Sequence, residues 1–213
     1  MRFDDAVARL SSIPATLPPP SEHLEGSFVE GGDGNPRPRF PEPGPDAVAA
    51  SVLVLLYPDD DGVARVVLTE RVSRDGHHSG EVSFPGGRAE DEDADEAATA
   101  LREAFEEVGL DASAAGVRVV GQLESFWIPV SNFHVTPVVA IADRRPDLLA
   151  SPAEVARILE PPLSAFLPDA PVEVMERTFS GWKIRFGAYP IEGLQVWGAT
   201  ARVLSQLGAL VAR

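Results

Sequence analysis

Three glutamates crowd one stretch of this chain: Glu103, Glu106 and Glu107 lie in FPGGRAEDEDADEAATALREAFEEVGL, residues 84–110. A helix turns by about 100° per residue, which places Ala97, Leu101, Ala104, Phe105 and Val108 on one side and the three glutamates on the other. The apolar side is expected to bury and the carboxylates to share the exposed face. Glu103 and Glu106 form an i,i+3 pair and Glu103 and Glu107 an i,i+4 pair, so several carboxylates can serve one or more hard cations. Without a cation they repel one another. The arrangement suits divalent-metal chemistry on phosphates.

A solvated amphipathic helix carries the same residues, with Arg102 and Glu106 as a weakly stabilising i,i+4 ion pair. The Phe84-Pro85-Gly86-Gly87 run ahead of it argues for more. Paired glycines allow a tight turn and leave a bare backbone carbonyl able to reach a metal. Gly109 supplies a C-terminal stop.

The elements that must hold this helix are read from the rest of the 213 residues, whose 44% hydrophobic content suffices for one large core. Phe3, Val7 and Leu10 recur at helical spacing, predicting a short helix over residues 2–11. From Pro14 to Pro45 lie nine of the twenty prolines, an extended wrap in which Arg37 and Arg39 could reach a substrate phosphate. Residues 1–46 are therefore read as a helix and Pro-rich segment packing on a single core domain, residues 47–213. The core is expected to start with a strand over 48–56, turn at residues 58–62 and return over 64–69. Strands follow at 117–126 and 133–141. Pro152 and Glu154 are expected to open a short helix through Leu159, then strands at 172–179 and 182–186 precede a last helix over 198–211. Strands and helices interleave without a repeated βαβ period, which implies a mixed-sheet α/β sandwich.

Net charge is −15 and Lys183 is the only lysine, so the surface is expected to repel nucleic acid and anionic membrane. An anionic substrate must then be drawn in by local charge, which bound metal supplies. The absence of cysteine excludes disulfides, a thiol nucleophile and Cys-ligated zinc. The first residues, Met-Arg-Phe-Asp-Asp, are acidic where a secretory signal is basic and apolar, so a cytoplasmic location is expected. The longest near-apolar run, residues 47–57, is shorter than the roughly 20 residues a membrane-spanning helix needs.

At residues 84–110 the chain resembles the Nudix hydrolases, whose signature runs Gly, five residues, Glu, seven residues, then Arg-Glu-apolar-any-Glu-Glu-any-Gly-apolar. Here Gly87 is followed by Asp93 at the right distance, and the second half reads Arg102-Glu103-Ala104-Phe105-Glu106-Glu107-Val108-Gly109-Leu110. Asp93 replaces the first Glu and the spacer to Arg102 is eight residues; both features are similar to the coenzyme A diphosphatase branch. So are Leu68-Thr69-Glu70-Arg71 with His78-Ser79-Gly80-Glu81-Val82-Ser83-Phe84-Pro85-Gly86-Gly87, and, downstream, residues 135–139, Glu154-Val155 and residues 196–202. The branch carries a Ser or Ala and then a basic residue where this chain has Val72 and Gly76, which removes a natural anchor for a substrate phosphate and leaves Arg71, Arg74 or His77 as substitutes for it.

The resemblance implies a Nudix-type α/β/α sandwich with a mixed sheet and a diphosphatase using Mg²⁺ or Mn²⁺. It implies that Glu103, Glu106 and Glu107 hold the metal with the Gly87 carbonyl, and that Arg102 orients them. The general base is one of these glutamates or Glu154, although an acidic residue in a first helical turn also has a purely structural reading. Arg71 and His78 are the substrate-binding candidates; His78 can equally hydrogen-bond a loop. His77-His78 lacks the spacing of a helical zinc pair. Trp127, Trp182 and Trp197 could stack an adenine, although buried packing is the commoner fate of tryptophan, and Arg202 reads as a structural partner of an acidic residue. The expected partner is a small nucleotide-type substrate, with a homodimer compatible with the sequence. Two other readings remain open: a Nudix pyrophosphatase acting on ADP-ribose or another nucleoside diphosphate derivative, and a non-catalytic nucleotide-binding Nudix module.

Overall fold

A computed structural model describes residues 1–30, 46–72, 81–179 and 182–213; Arg37, Arg39, Arg74, Gly76, His77 and His78 lie outside these. In chain order the elements are α1 (Phe3–Leu10), β1 (Ser27–Glu30), β2 (Val48–Pro58), β3 (Ala64–Val66), β4 (Leu68–Arg71), β5 (Val82–Ser83) and β6 (Gly86–Arg88). Then come α2 (Glu96–Val108), β7 (Arg118–Gln122), β8 (Phe126–Ile128), β9 (Phe133–Ile141), β10 (Val155–Leu159), β11 (Glu173–Phe179), β12 (Trp182–Ile191), β13 (Leu194–Val196) and α3 (Gly198–Val211).

Successive strand side chains point to opposite faces, and β2 shows the consequence. Leu53, Leu55 and Tyr57 pack with Val138 and Ala140 of β9 against Ala100, Ala104 and Val108 of α2. Val54 and Leu56 face the other way, onto a core shared with α1 and α3 through Phe3, Leu10, Leu204 and Leu207. A run apolar at nearly every position therefore builds two cores. The result is an α/β/α sandwich in which the central sheet runs β3-β2-β9-β7, with β6 also on β2 and β8 also on β9. β2 and β9 are parallel, whereas β3, β6, β7 and β8 pair antiparallel, so the sheet is mixed. Two smaller sheets flank it, β10-β4-β5 and β1-β12-β11 with β13 on β12.

Strand β9 and helix α3 match the ranges expected from sequence. Three expectations need correction. The return strand over 64–69 divides at Val67, because β3 stays on β2 while β4 leaves to pair with β10. The strand over 117–126 divides too, and β8 forms a hairpin with β9 through a turn where Asn132 takes φ 56°. The helix expected over 152–159 is a turn followed by β10. Val155 and Leu159 are both buried, as a helix would have them, but here a bulge between Val155 and Arg157 sets them opposite Arg71 and Leu68 of β4. The open edge of β4 decided the matter by offering backbone partners from Leu68 to Arg71.

Candidate active site

Helix α2 begins where the Asp95 side chain caps the Ala98 N–H at 2.8 Å and ends on Gly109 in the left-handed conformation, φ 65°. Its buried face is turned by about 60° from the face expected on apolar spacing. Phe105 is 61% exposed, while Glu107 is only 3% exposed. Ala100 and Glu107 lie seven residues apart, nearly two full turns, and so share one stripe; the small Ala100 and Ala104 let the helix approach the sheet closely. The expectation that all three glutamates share an exposed face is thus corrected. Glu106 is exposed, Glu103 half-buried and Glu107 buried.

Arg102 is the hub of the exposed part. Its Nε and Nη2 donate to the two Asp93 oxygens at 3.1 and 3.0 Å, Nη2 also donates to the Arg88 carbonyl at 2.9 Å, and Nη1 reaches Glu103 at 3.0 Å and Glu106 at 3.4 Å. Asp93 further accepts from Thr99 Oγ1 and the Glu90 N–H at 2.9 Å each. These bonds, the Arg102 guanidinium foremost, hold its carboxyl well below the usual carboxylate range. Sequence placed Asp93 in the signature without a role; its partners Thr99 and Arg102, six and nine residues on, were the available signal.

Glycines bring the backbone up to this helix. Gly86 and Gly87 pair with Val52 and Ser51 of β2. A Cβ at Gly86 would collide with the Ser51 carbonyl and Val52 Cα, and one at Gly87 would sit 2.6 Å from the Glu103 carboxylate. Burial pushes the Glu107 carboxyl up to about 7, opposed by Arg71, whose guanidinium stands 3.9 Å away, and raised further by the charges of Glu103 and Glu154. Burial also raises Glu103, against the pull of Arg102. Glu154 is exposed on the turn before β10, a turn anchored to the end of α2 where the Ser151 N–H donates to the Glu107 carbonyl at 2.8 Å.

The donors suit a hard divalent cation. All are oxygens, and Glu107 Oε2 is buried without a hydrogen-bond partner among the described residues, an expense that an added cation would relieve. Among the described residues no three His, Asp or Glu side chains are already gathered as a ligand cluster; Glu103 and Glu106 are turned toward Arg102 instead.

Beyond Gly86 and Gly87 opens a cavity of about 470 Å³. Its walls come from β8, the start of β9 and the first turn of α3, and its charged lining residues among those described are Arg71 and Glu81. Trp197 and Phe126 both line it. The sequence offered Trp197 as a stacking candidate and gave no signal for Phe126.

Residues 47–171 match the family model of the NUDIX domain. The chain belongs to the Nudix family. It is 42% identical over 168 residues to Nudix hydrolase 22, chloroplastic, of Arabidopsis thaliana, covering 76% of this chain and 55% of that relative. Nudix hydrolase 15, mitochondrial, of the same plant is 41% identical over 161 residues, 73% of this chain and 55% of the relative. The chain thus spans about half the length of both plant relatives. An uncharacterized Nudix hydrolase NudL of Photorhabdus laumondii is 36% identical over 149 residues, covering 68% of this chain and 76% of its own length. Among solved structures, the Nudix hydrolase RenU of M. smegmatis aligns with TM-score 0.46 at 23% identity, over 56% of this chain and 73% of that one.

Of the residues expected for a Nudix site, the fold brings Gly87, Arg102, Glu103, Glu106 and Glu107 together at the junction of β6 and α2, with Arg71 beside Glu107. His78 lies outside the described residues. Arg202 pairs with Glu124 at 3.4 Å and lies over the Phe126 ring. Among the described residues no helix is long and apolar enough to cross a membrane.

Proposed function

We propose that the chain is a divalent-metal-dependent diphosphatase acting on nucleoside diphosphate derivatives, with coenzyme A or its derivatives as substrate. The observation that carries this reading is the buried Glu107 carboxylate, with an oxygen lacking a partner among the described residues, close to Gly86 and to the charge of Glu103. Glu103, Glu106 and Glu107, with the Gly87 carbonyl, would hold Mg²⁺ or Mn²⁺. Such a cation neutralises charge on the diphosphate oxygens and acidifies water.

The chain's own residues do the rest. Asp93 and the Arg88 carbonyl fix the Arg102 guanidinium, which in turn orients Glu103 and Glu106. Arg71, at the cavity side of Glu107, binds a diphosphate oxygen, and His78 is a second candidate for that task. A carboxylate, one of the helix glutamates or Glu154, takes the proton of the attacking water. Water oxygen bonds to one phosphorus, the bond from that phosphorus to the bridging oxygen breaks, and two phosphate monoesters result. From coenzyme A these are adenosine 3′,5′-bisphosphate and 4′-phosphopantetheine.

Glu106→Gln is expected to lower Mg²⁺-dependent turnover by at least about 100-fold with an unchanged circular dichroism spectrum. Full activity in that variant, or in excess chelator, would falsify the metal mechanism. A second reading, cleavage of ADP-ribose or a similar nucleoside diphosphate derivative, is favoured by Val72 and by Arg71 as the cavity's one cation among the described residues. Product analysis on a panel of coenzyme A, ADP-ribose and dinucleoside polyphosphates separates the two; equal rates across the panel would remove the coenzyme A assignment.

A further inference from the structure

The connection over residues 142–154, between β9 and β10, has no regular secondary structure, and connections of that length inside a compact domain are often binding or catalytic loops. This one is held at three places. At its base the Arg145 Nε and Nη2 donate to the two Glu160 carboxylate oxygens at 3.1 and 2.5 Å. In its middle the Leu149 and Ser151 N–H groups donate to the Val108 and Glu107 carbonyls of α2, at 2.8 Å each, and at its end the Glu154 carbonyl accepts from the Val72 N–H at 2.9 Å. We propose that Arg145, stapled to Glu160, is a positioning residue: it keeps this connection seated on α2 so that the Glu154 carboxylate takes the proton of the attacking water. The inference rests on the proposed diphosphatase activity and names, for that reaction, which carboxylate moves the proton.

Glu160 is a fixed anchor. It directly follows β10, its carboxylate also accepts from the hydroxyl of buried Tyr57 near the end of β2, and its carbonyl accepts from Arg65 Nη1 at 3.3 Å. A guanidinium that meets such a carboxylate with two donors fixes direction as well as distance, so the start of the connection is set against the far end of β10. The seat on α2 matters because the last carbonyls of a helix have no partner within it. Here two of them register the connection against the helix that carries Glu103, Glu106 and Glu107. Ser151 is bonded to the backbone of Glu107 itself, and the Glu154 N–H turns back to the Ser151 carbonyl at 3.0 Å. The Glu154 side chain is close enough for its charge to act on the Glu103 and Glu107 carboxyls. Glu103 and Glu106 are engaged by Arg102 and Glu107 is buried, whereas Glu154 is open to water. The staple itself contributes little to stability, since the Arg145 side chain is 65% exposed. Its loss is expected to loosen the connection without unfolding the chain.

A double-mutant cycle tests this, with Mg²⁺ and coenzyme A, or ADP-ribose where the wild type cleaves that faster. Arg145→Ala is expected to lower kcat about tenfold with KM changed less than about twofold, because a misplaced reacting group costs rate more than binding. Arg145→Lys, which keeps the charge but not the fork, is expected to recover part of the loss. Glu154→Gln is expected to lower kcat about 100-fold. Added to Glu154→Gln, Arg145→Ala is expected to cost less than about twofold more, since no carboxylate is left for the staple to place. Amide exchange at Leu149 and Ser151 is expected to be faster in Arg145→Ala, with an unchanged circular dichroism spectrum. Full kcat in Arg145→Ala or in Glu154→Gln overturns the proposal. So does a tenfold loss that persists in the Glu154→Gln background, which would give Arg145 a general structural role, and so does unchanged amide protection. Cleavage of neither probe by the wild type removes the diphosphatase reading, and this inference with it.

Discussion

Glu107 holds a carboxyl where burial opposes its charge, and this gives the metal-free protein a pH dependence with a definite sign. Its ordinary value of 4.5 is pushed up to about 7 in the folded state, so the favourable contribution is complete below about pH 4.5 and is lost as pH rises through about 7. In chelator, Glu107→Gln is therefore expected to gain on the wild type by about 2 kcal/mol between pH 5 and pH 8. Urea denaturation at the two pH values measures it, and parallel stability curves would show that Glu107 ionises freely. Asp93 acts one step further from the substrate, through Arg102. Asp93→Ala is expected to lower kcat by about 10- to 100-fold, as loss of an orienting partner does. Asp93→Asn, which keeps an acceptor oxygen, is expected to recover part of it. Equal kcat in wild type and Asp93→Ala would show that the Glu103 and Glu106 contacts suffice to set the arginine.

Strand β6 and helix α2 meet only because glycine permits it. At Gly86 the β2 backbone lies where a side chain would begin, so Gly86→Ala is expected to destabilise by about 3 kcal/mol and to free the β6 amides from their β2 partners. Hydrogen exchange at residues 86–88 reads the second effect, and unchanged protection there would contradict the close approach. The case of β10 shows the same dependence on neighbours. Pro152, Glu154 and the Val155–Leu159 spacing satisfy a helix start, yet the exposed backbone of β4 claims the segment. As a result Glu154 stands on a turn tied to the C-terminal end of α2, facing the charge of Glu103 and Glu107, and not in the first turn of a helix.

The N-terminal segment is bound into the body by polar groups as much as by apolar ones. Buried Gln206 on α3 donates to the Pro18 carbonyl at 3.1 Å and accepts from the Glu124 N–H at 3.4 Å, while Ser205 Oγ accepts from the Ser21 N–H at 3.0 Å. Ile13 meanwhile fills the space that a side chain at Gly121 would need. Gln206 thus joins the segment, the loop that leads to the β8 cavity wall, and α3. Gln206→Ala leaves a carbonyl and an amide unpaired and is expected to cost about 2 kcal/mol in denaturant titration. A loss below the measurement error would mean that water replaces both bonds.

Much of this architecture could be read before any coordinates. Residues 133–141 and 198–211 folded as their patterns required, because continuous burial and a wide apolar stripe leave few alternatives. The glycine pair and the three glutamates defined a candidate metal site through residue type and spacing, since ligand chemistry is local, and the family resemblance added Arg102. Spacing could not choose the rotation of α2, because the stripe through Ala97 and Phe105 and the stripe through Ala100 and Glu107 were both available. Packing against β2 selected the second, through its two alanines, and so buried one glutamate of the three. The same holds for β10 and for the cavity: an open strand edge and a wall assembled from β8, β9 and α3 exist only once segments distant in sequence have met.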